Sequence, residues 1–202
     1  AGTATVCPEF RYLNDGIELA NSYCFNPHKW MLTNFDCNCF YVKDKTSLTS
    51  ALSVLPEYLR NPRSLDGPVV DFRDWQIPLG RRFRSLKLWF VIRSYGVEGI
   101  KKYLRTHVEL SKKFAKWVEA EPGFELTSYT GLNLVCFRIE GDNARNELLL
   151  NKINDSGSIF LSHTVIDGRF SLRLCIGQVR VTEQTVLLAC DVIKTCALGL
   201  DS

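Results

Sequence analysis

Long apolar runs are missing from this sequence. No stretch of about 18 hydrophobic residues occurs, which argues against a membrane-spanning helix. No basic stretch followed by an apolar one opens the chain, so no secretory signal is read. Charge of one sign is also scarce: 25 Lys and Arg against 22 Asp and Glu leave +3. With no long basic run, a polycationic tail is excluded and nucleic-acid binding is disfavoured. Internal repeats and low-complexity tracts are absent. Methionine is nearly so: the only one is Met31, and the chain opens Ala1-Gly2-Thr3. The expectation is a processed start or a stretch of a longer protein. What is present, 202 residues with 46% hydrophobic and 23% charged side chains, is enough for one sizeable core or for parts of two domains.

Eight cysteines are an enrichment, yet no pair has the C-x-x-C spacing of a zinc knuckle or a thioredoxin-like site. Cys37 and Cys39, two apart, would share one face of a strand. Cys136 and Cys175 fall in apolar strand-like runs, Cys190 and Cys196 in a helical pattern. Buried cysteine behaves as a small hydrophobe, so the reading is reduced core thiols in a cytoplasmic protein, with no metal and no disulfide framework.

Periodicity predicts a short strand over 3–7, a helix from Asp15 to Ala20, and extended chain over 23–25. Asn26 precedes Pro27, which pushes it out of the helical region. A buried strand is expected over 37–42 and a helix over 46–52 capped by Thr46. Residues 54–77 carry Pro56, Pro62, Pro68, Asp66 and Gly67 and keep no period; a connection of that length is a functional loop or a disordered one. Helical pattern returns over 83–95, breaks at Gly96, and resumes from Val97 with apolar residues three and four apart. Strands over 124–127 and 132–139, a helix over 144–154, strands over 158–165 and 169–176, and a last helix capped by Thr182 complete an α+β layer. The domain boundary is expected near Lys87.

The run Ser22-Tyr23-Cys24-Phe25-Asn26-Pro27-His28-Lys29-Trp30-Met31 is the most informative. A lysine flanked by aromatics at a strand end is under pressure to lose its solvent, which favours the neutral, nucleophilic amine. An arbitrary lysine merely snorkels at the surface. Here the surrounding pattern decides. Serine, an aromatic, five residues, lysine and two bulky apolar residues resemble the attachment signature of pyridoxal-phosphate decarboxylases. The Asn26-Pro27-His28-Lys29-Trp30 core resembles the aromatic L-amino-acid decarboxylase family, in its plant tyrosine and tryptophan decarboxylase-like branch. Cys7-Pro8-Glu9-Phe10-Arg11, Thr33-Asn34-Phe35-Asp36-Cys37 and the block from Asp74 through Gln76-Ile77-Pro78-Leu79-Gly80-Arg81-Arg82-Phe83-Arg84 to Trp89 extend the likeness, as does Val91-Ile92-Arg93-Ser94-Tyr95-Gly96-Val97. It is firm to about Leu110 and beyond that is one of pattern.

The resemblance implies an α/β chain of the fold-type I pyridoxal-phosphate-dependent transferase class. Residues 1–86 would be the C-terminal part of the cofactor-binding large domain, with a catalytic lid loop over 54–77. Residues 87–202 would form a small C-terminal α+β domain. Lys29 would hold pyridoxal 5'-phosphate as a Schiff base, and the ring would act as electron sink when carbon dioxide leaves an aromatic amino acid. Asn26 matches a position near the cofactor phosphate. His28 is either an orienting partner of Lys29 or a buried histidine with a structural contact, and both readings stand. In Pro56-Glu57-Tyr58-Leu59-Arg60, Tyr58 aligns with the lid tyrosine that returns a proton to the substrate carbon. Gly80 matches a position lining the substrate ring, where glycine leaves room for an indole; tryptophan is favoured among tryptophan, tyrosine, dopa and phenylalanine.

The basic group Arg81, Arg82, Arg84 and Lys87 has no aromatic stacking platform beside it and is expected to be satisfied by carboxylates. The family's ring-stacking residue, pyridine-nitrogen aspartate and phosphate hydroxyls have no counterpart in these 202 residues. The chain alone is therefore expected to be inactive and to present an apolar surface, while the whole protein works as a homodimer. Two other readings stay open: an aromatic acetaldehyde synthase of the same family, and a non-catalytic relative serving only as a dimerisation module.

Overall fold

Pro27 and Asp44 set the local geometry of the first half. In the computed structural model, which describes residues 2–53, 70 and 72–200, the chain divides into two compact units, Ala1–Gly96 and Val97–Ser202. In the first, strand β1 (Ser22–Phe25) pairs antiparallel with β2 (Cys39–Val42), Ser22 opposite Val42 and Phe25 opposite Cys39. Between them Pro27 begins the one-turn helix α1 (Pro27–Trp30); its fixed φ and missing N–H suit a first helical position. Helix α2 (Lys45–Leu52) follows, and its cap is Asp44, not Thr46. The Asp44 carboxylate accepts from the N–H groups of Thr46 at 2.9 Å and Ser47 at 3.0 Å, two of the donors a helix start leaves orphaned.

Three further expectations for this unit are corrected. Residues Gly2–Val6 form a 3-10 helix in place of a strand. Asp15 closes the 3-10 turn Pro8–Asn14, and Gly16, at φ 85°, opens the next one, Ile17–Leu19. Strand β2 starts at Cys39, so Cys37 lies outside it. Among the described residues the strand is not buried either: Phe40 and Tyr41 are exposed, and β1 is its one pairing partner.

Helical hydrogen bonding runs over Arg84–Ala120, but Gly96 stands at φ 63°, ψ 171°, a conformation that only glycine adopts without strain. It separates helix α3 (84–95) from α4 (97–120) and marks the division between the units, further along than Lys87.

The second unit builds one core from a sheet and three helices. Strands β3 (Phe124–Tyr129), β4 (Leu134–Ile139), β5 (Ser162–Ile166) and β6 (Arg169–Cys175) form an antiparallel sheet in the order β3-β4-β6-β5. Phe114 of α4, Phe137 of β4, Leu149 and Ile153 of α5 (Asn143–Asp155), Leu172 of β6 and Ile193 of α6 (Glu183–Leu198) are fully buried in a single cluster. The expected cap of α6 is present: the Thr182 hydroxyl accepts from Thr185 N–H, and the Thr185 hydroxyl accepts from Thr182 N–H.

Asn146 is the polar pin of this core. Fully buried, it accepts from Ile139 N–H at 2.9 Å and donates to Ile139 O and Asp142 O, each at 3.0 Å. Asn146→Leu strands the backbone groups it served in an apolar interior. The expected loss is about 3 kcal/mol, read as a lower denaturant midpoint with unchanged slope.

Candidate functional site

The lysine singled out by sequence sits in a closed loop. Lys29 N–H donates to Asn26 O at 3.0 Å and Met31 N–H to Pro27 O at 3.2 Å, winding the single turn of α1. Thr33 N–H then returns to Pro27 O, and His28 N–H to Cys37 O, both at 3.3 Å. The His28 ring reinforces that closure. Its Nδ1 lies 3.0 Å from Cys37 N and 2.6 Å from Cys37 O, and its face meets Phe35 edge-on at 4.9 Å between centroids. One ring nitrogen cannot serve both groups at once: it accepts from the N–H when bare and donates to the carbonyl when protonated. Either way the ring is committed to the Cys37 backbone and shapes the lysine loop. Trp30 and Pro27 are buried beneath this loop.

Among the described residues Lys29 is exposed, where a desolvated lysine at a strand end was expected. The physical reason is the helical turn. Pro27 starts it two residues after the end of β1, so the aromatic neighbour Trp30 is buried while Lys29 is exposed. Asn26, half-buried, occupies the position before the helix but makes no capping bond with its side chain. The loop thus offers a primary amine and a side-chain amide that the helix does not use. That donor pair fits an aldehyde-bearing, phosphorylated cofactor: the amine for the aldehyde, the amide for a phosphate oxygen.

The residues after the loop are held from far along the chain. Arg82 Nη2 donates to Asp36 Oδ1 at 2.6 Å, Arg84 Nη2 to Asp36 Oδ2 at 2.9 Å, and Lys87 Nζ to Asn34 O at 2.8 Å. Arg81 is turned away and donates to Gln76 Oε1 at 3.2 Å. The basic group is therefore satisfied largely within the protein, as expected, with Asp36 as its carboxylate. The hydrogen bond from Arg84, with the charges of Arg84 and Arg82, holds the Asp36 carboxyl at about 2, below its usual 3.8, against the opposing effect of burial. A depressed folded-state value means the clamp contributes above the ordinary aspartate value and is lost as pH falls through about 2. Protection of residues 77–88 against hydrogen exchange, corrected for intrinsic rate, should accordingly be constant from mildly acidic to alkaline pH and fail only on strong acidification.

Gly80 is exposed, and a Cβ built on it meets nothing within 4 Å. Tyr58, with most of the expected lid, lies outside the described residues. The sequence quoted Asp36 only as part of a motif. Its role could not be read there, since its partners lie 46 and 48 positions away and no periodicity links them.

Known proteins resemble this chain over nearly its whole length. Residues 1–140 match the family model described as the pyridoxal-dependent decarboxylase conserved domain. A phenylacetaldehyde synthase of Arabidopsis thaliana is 48% identical over 201 residues, 96% of this chain and 41% of its own length. An aromatic-L-amino-acid decarboxylase of Rattus norvegicus is 48% identical over 197 residues, 98% of this chain and 41% of its own. The crystal structure of Oryza sativa TDC with PLP and tryptamine superposes with a TM-score of 0.92 at 39% identity, covering 99% of this chain and 43% of that one. The chain spans about two fifths of the length of the relatives it matches.

Proposed function

Because this chain belongs to the pyridoxal-dependent decarboxylase family and has the fold of its fold-type I members, we propose that the protein removes the carboxylate of an aromatic L-amino acid as carbon dioxide and releases the amine. The observation that carries this reading is the Lys29 loop, an exposed amine on a short turn closed at both ends by backbone and histidine contacts. Lys29 Nζ would hold pyridoxal 5'-phosphate covalently and the Asn26 amide would donate to its phosphate. When bound, this cofactor supplies the electron sink that lets carbon dioxide depart.

The remaining work falls to the protein. His28 keeps the lysine turn closed, so the amine is presented from one place. Tyr58 would deliver a proton from its phenol to the carbon that has lost its carboxylate. Gly80 would leave space for a large ring, which favours tryptophan over phenolic substrates. Gly80→Ser is then expected to reduce kcat/KM for tryptophan relative to tyrosine by about tenfold, measured in competition. No clash opposes the added side chain within its own unit.

The protein would act as a cytoplasmic homodimer. None of the eight cysteines is in a disulfide, which supports the reducing compartment, and none of the helices among the described residues is long and apolar enough to cross a membrane. Trp89 and Phe90, each more than half exposed, support an apolar contact with a second copy.

The test is product analysis of the intact protein with pyridoxal 5'-phosphate and L-tryptophan, L-tyrosine, L-dopa or L-phenylalanine. Amine formed in step with carbon dioxide supports the proposal. The similarity to a phenylacetaldehyde synthase keeps one rival in view. That reaction consumes oxygen and water and yields aldehyde, ammonia, carbon dioxide and hydrogen peroxide, so peroxide in step with aldehyde would select it.

A further inference from the structure

Asp36 stands where two functional segments meet. On one side it belongs to the loop that begins at His28 and closes on Cys37, the residue next to it. On the other its two oxygens take separate arginines, which lie two and four positions after Gly80. Among the described residues the Gly80 segment has little else to fix it. Ile77 is 90% exposed, Leu79 and Phe83 each 74%, and residues 77–83 belong to no helix or strand. Its polar attachments among the described residues run through Arg81 to nearby Gln76 and through Arg82 and Arg84 to Asp36. Lys87, bonded to Asn34 O, continues the same attachment into α3. Arg84 contributes the better-shielded arm, its side chain 23% exposed against 74% for Arg82.

We propose that Asp36 is a positioning residue for the substrate's aromatic ring: through Arg82 and Arg84 it holds the Gly80 segment on the body of the first unit without touching substrate itself. The inference rests on the decarboxylase reading, which gives Gly80 its place beside the ring. A carboxylate shared by two guanidinium groups is directional as well as charged. Its loss leaves two cations facing each other and frees a segment with almost no apolar anchoring.

The test is made in the intact holoenzyme with Asp36→Asn, Arg84→Gln and the double variant. KM for the aromatic amino acid should rise about tenfold while kcat stays within about threefold, the signature of lost binding rather than lost chemistry. The double variant should be no worse than the worse single one, because both remove one interaction. Hydrogen exchange should quicken over 77–88 and stay unchanged in the second unit, and Asp36→Glu, which keeps the charge, should recover part of the KM. Should Asp36→Asn fail to fold, Arg82→Gln leaves the Arg84 arm in place and should raise KM in the same direction by less. Unchanged KM, a fall confined to kcat, or additive single effects would overturn the positioning role while normal wild-type turnover leaves the decarboxylase reading standing. Wild-type protein that turns over no aromatic amino acid would overturn both.

Discussion

Lys29→Ala in the intact protein should lower turnover of aromatic amino acids by at least about 10³-fold. It should also abolish the visible absorbance of lysine-bound cofactor. The size follows from what the side chain supplies: a covalent tether that holds the reactive aldehyde in place, and an amine that competes with substrate for it. Lys29 is exposed and Trp30 and Pro27 carry the packing of its turn, so the substitution should leave the unfolding midpoint of the cofactor-free protein unchanged. That separation matters, because a variant dead through misfolding would lose both. Lys29→Arg should be equally inactive although it keeps charge and bulk, since a guanidinium does not lose its proton near neutral pH. Retained turnover in either variant would remove Lys29 from the chemistry.

Tyr58→Phe should change the product rather than simply slow the reaction. A positioned general acid contributes about 10²- to 10⁴-fold to its step. Without the phenolic proton, the carbon that has lost carbon dioxide stays reactive long enough to meet dissolved oxygen. Amine output should fall, and aldehyde and hydrogen peroxide should rise in step with each other. Oxygen exclusion should suppress the aldehyde, which distinguishes this route from later oxidation of the amine. An unchanged product ratio would take the proton-donor role away from Tyr58.

Much of this was legible in the sequence, for reasons that differ by region. The second unit follows its periodicity closely. Helix spacing, the Thr182 cap and the glycine break at Gly96 are local signals, and a chain with its own core obeys them. The Lys29 segment stands out through a contiguous motif. The first unit was less legible. A strand over 3–7 and a buried strand over 37–42 were expected from apolar content, whereas among the described residues Gly2–Val6 winds into a 3-10 helix and Phe40 and Tyr41 of the two-stranded ribbon are exposed. Flanking aromatics do not by themselves set the environment of Lys29: in the proline-initiated turn Trp30 is buried while Lys29 is exposed among the described residues. Asp36 was beyond reach, because an ion pair between segments so distant in the chain has no period.

The central claim is that Lys29 is the residue that carries the cofactor. Borohydride reduction of the intact protein loaded with pyridoxal 5'-phosphate, followed by digestion and mass mapping, tests it most directly. The modification should fall on the peptide containing Asn26, His28 and Lys29, and on no other lysine. A label fixed elsewhere, or none at all, would contradict the account.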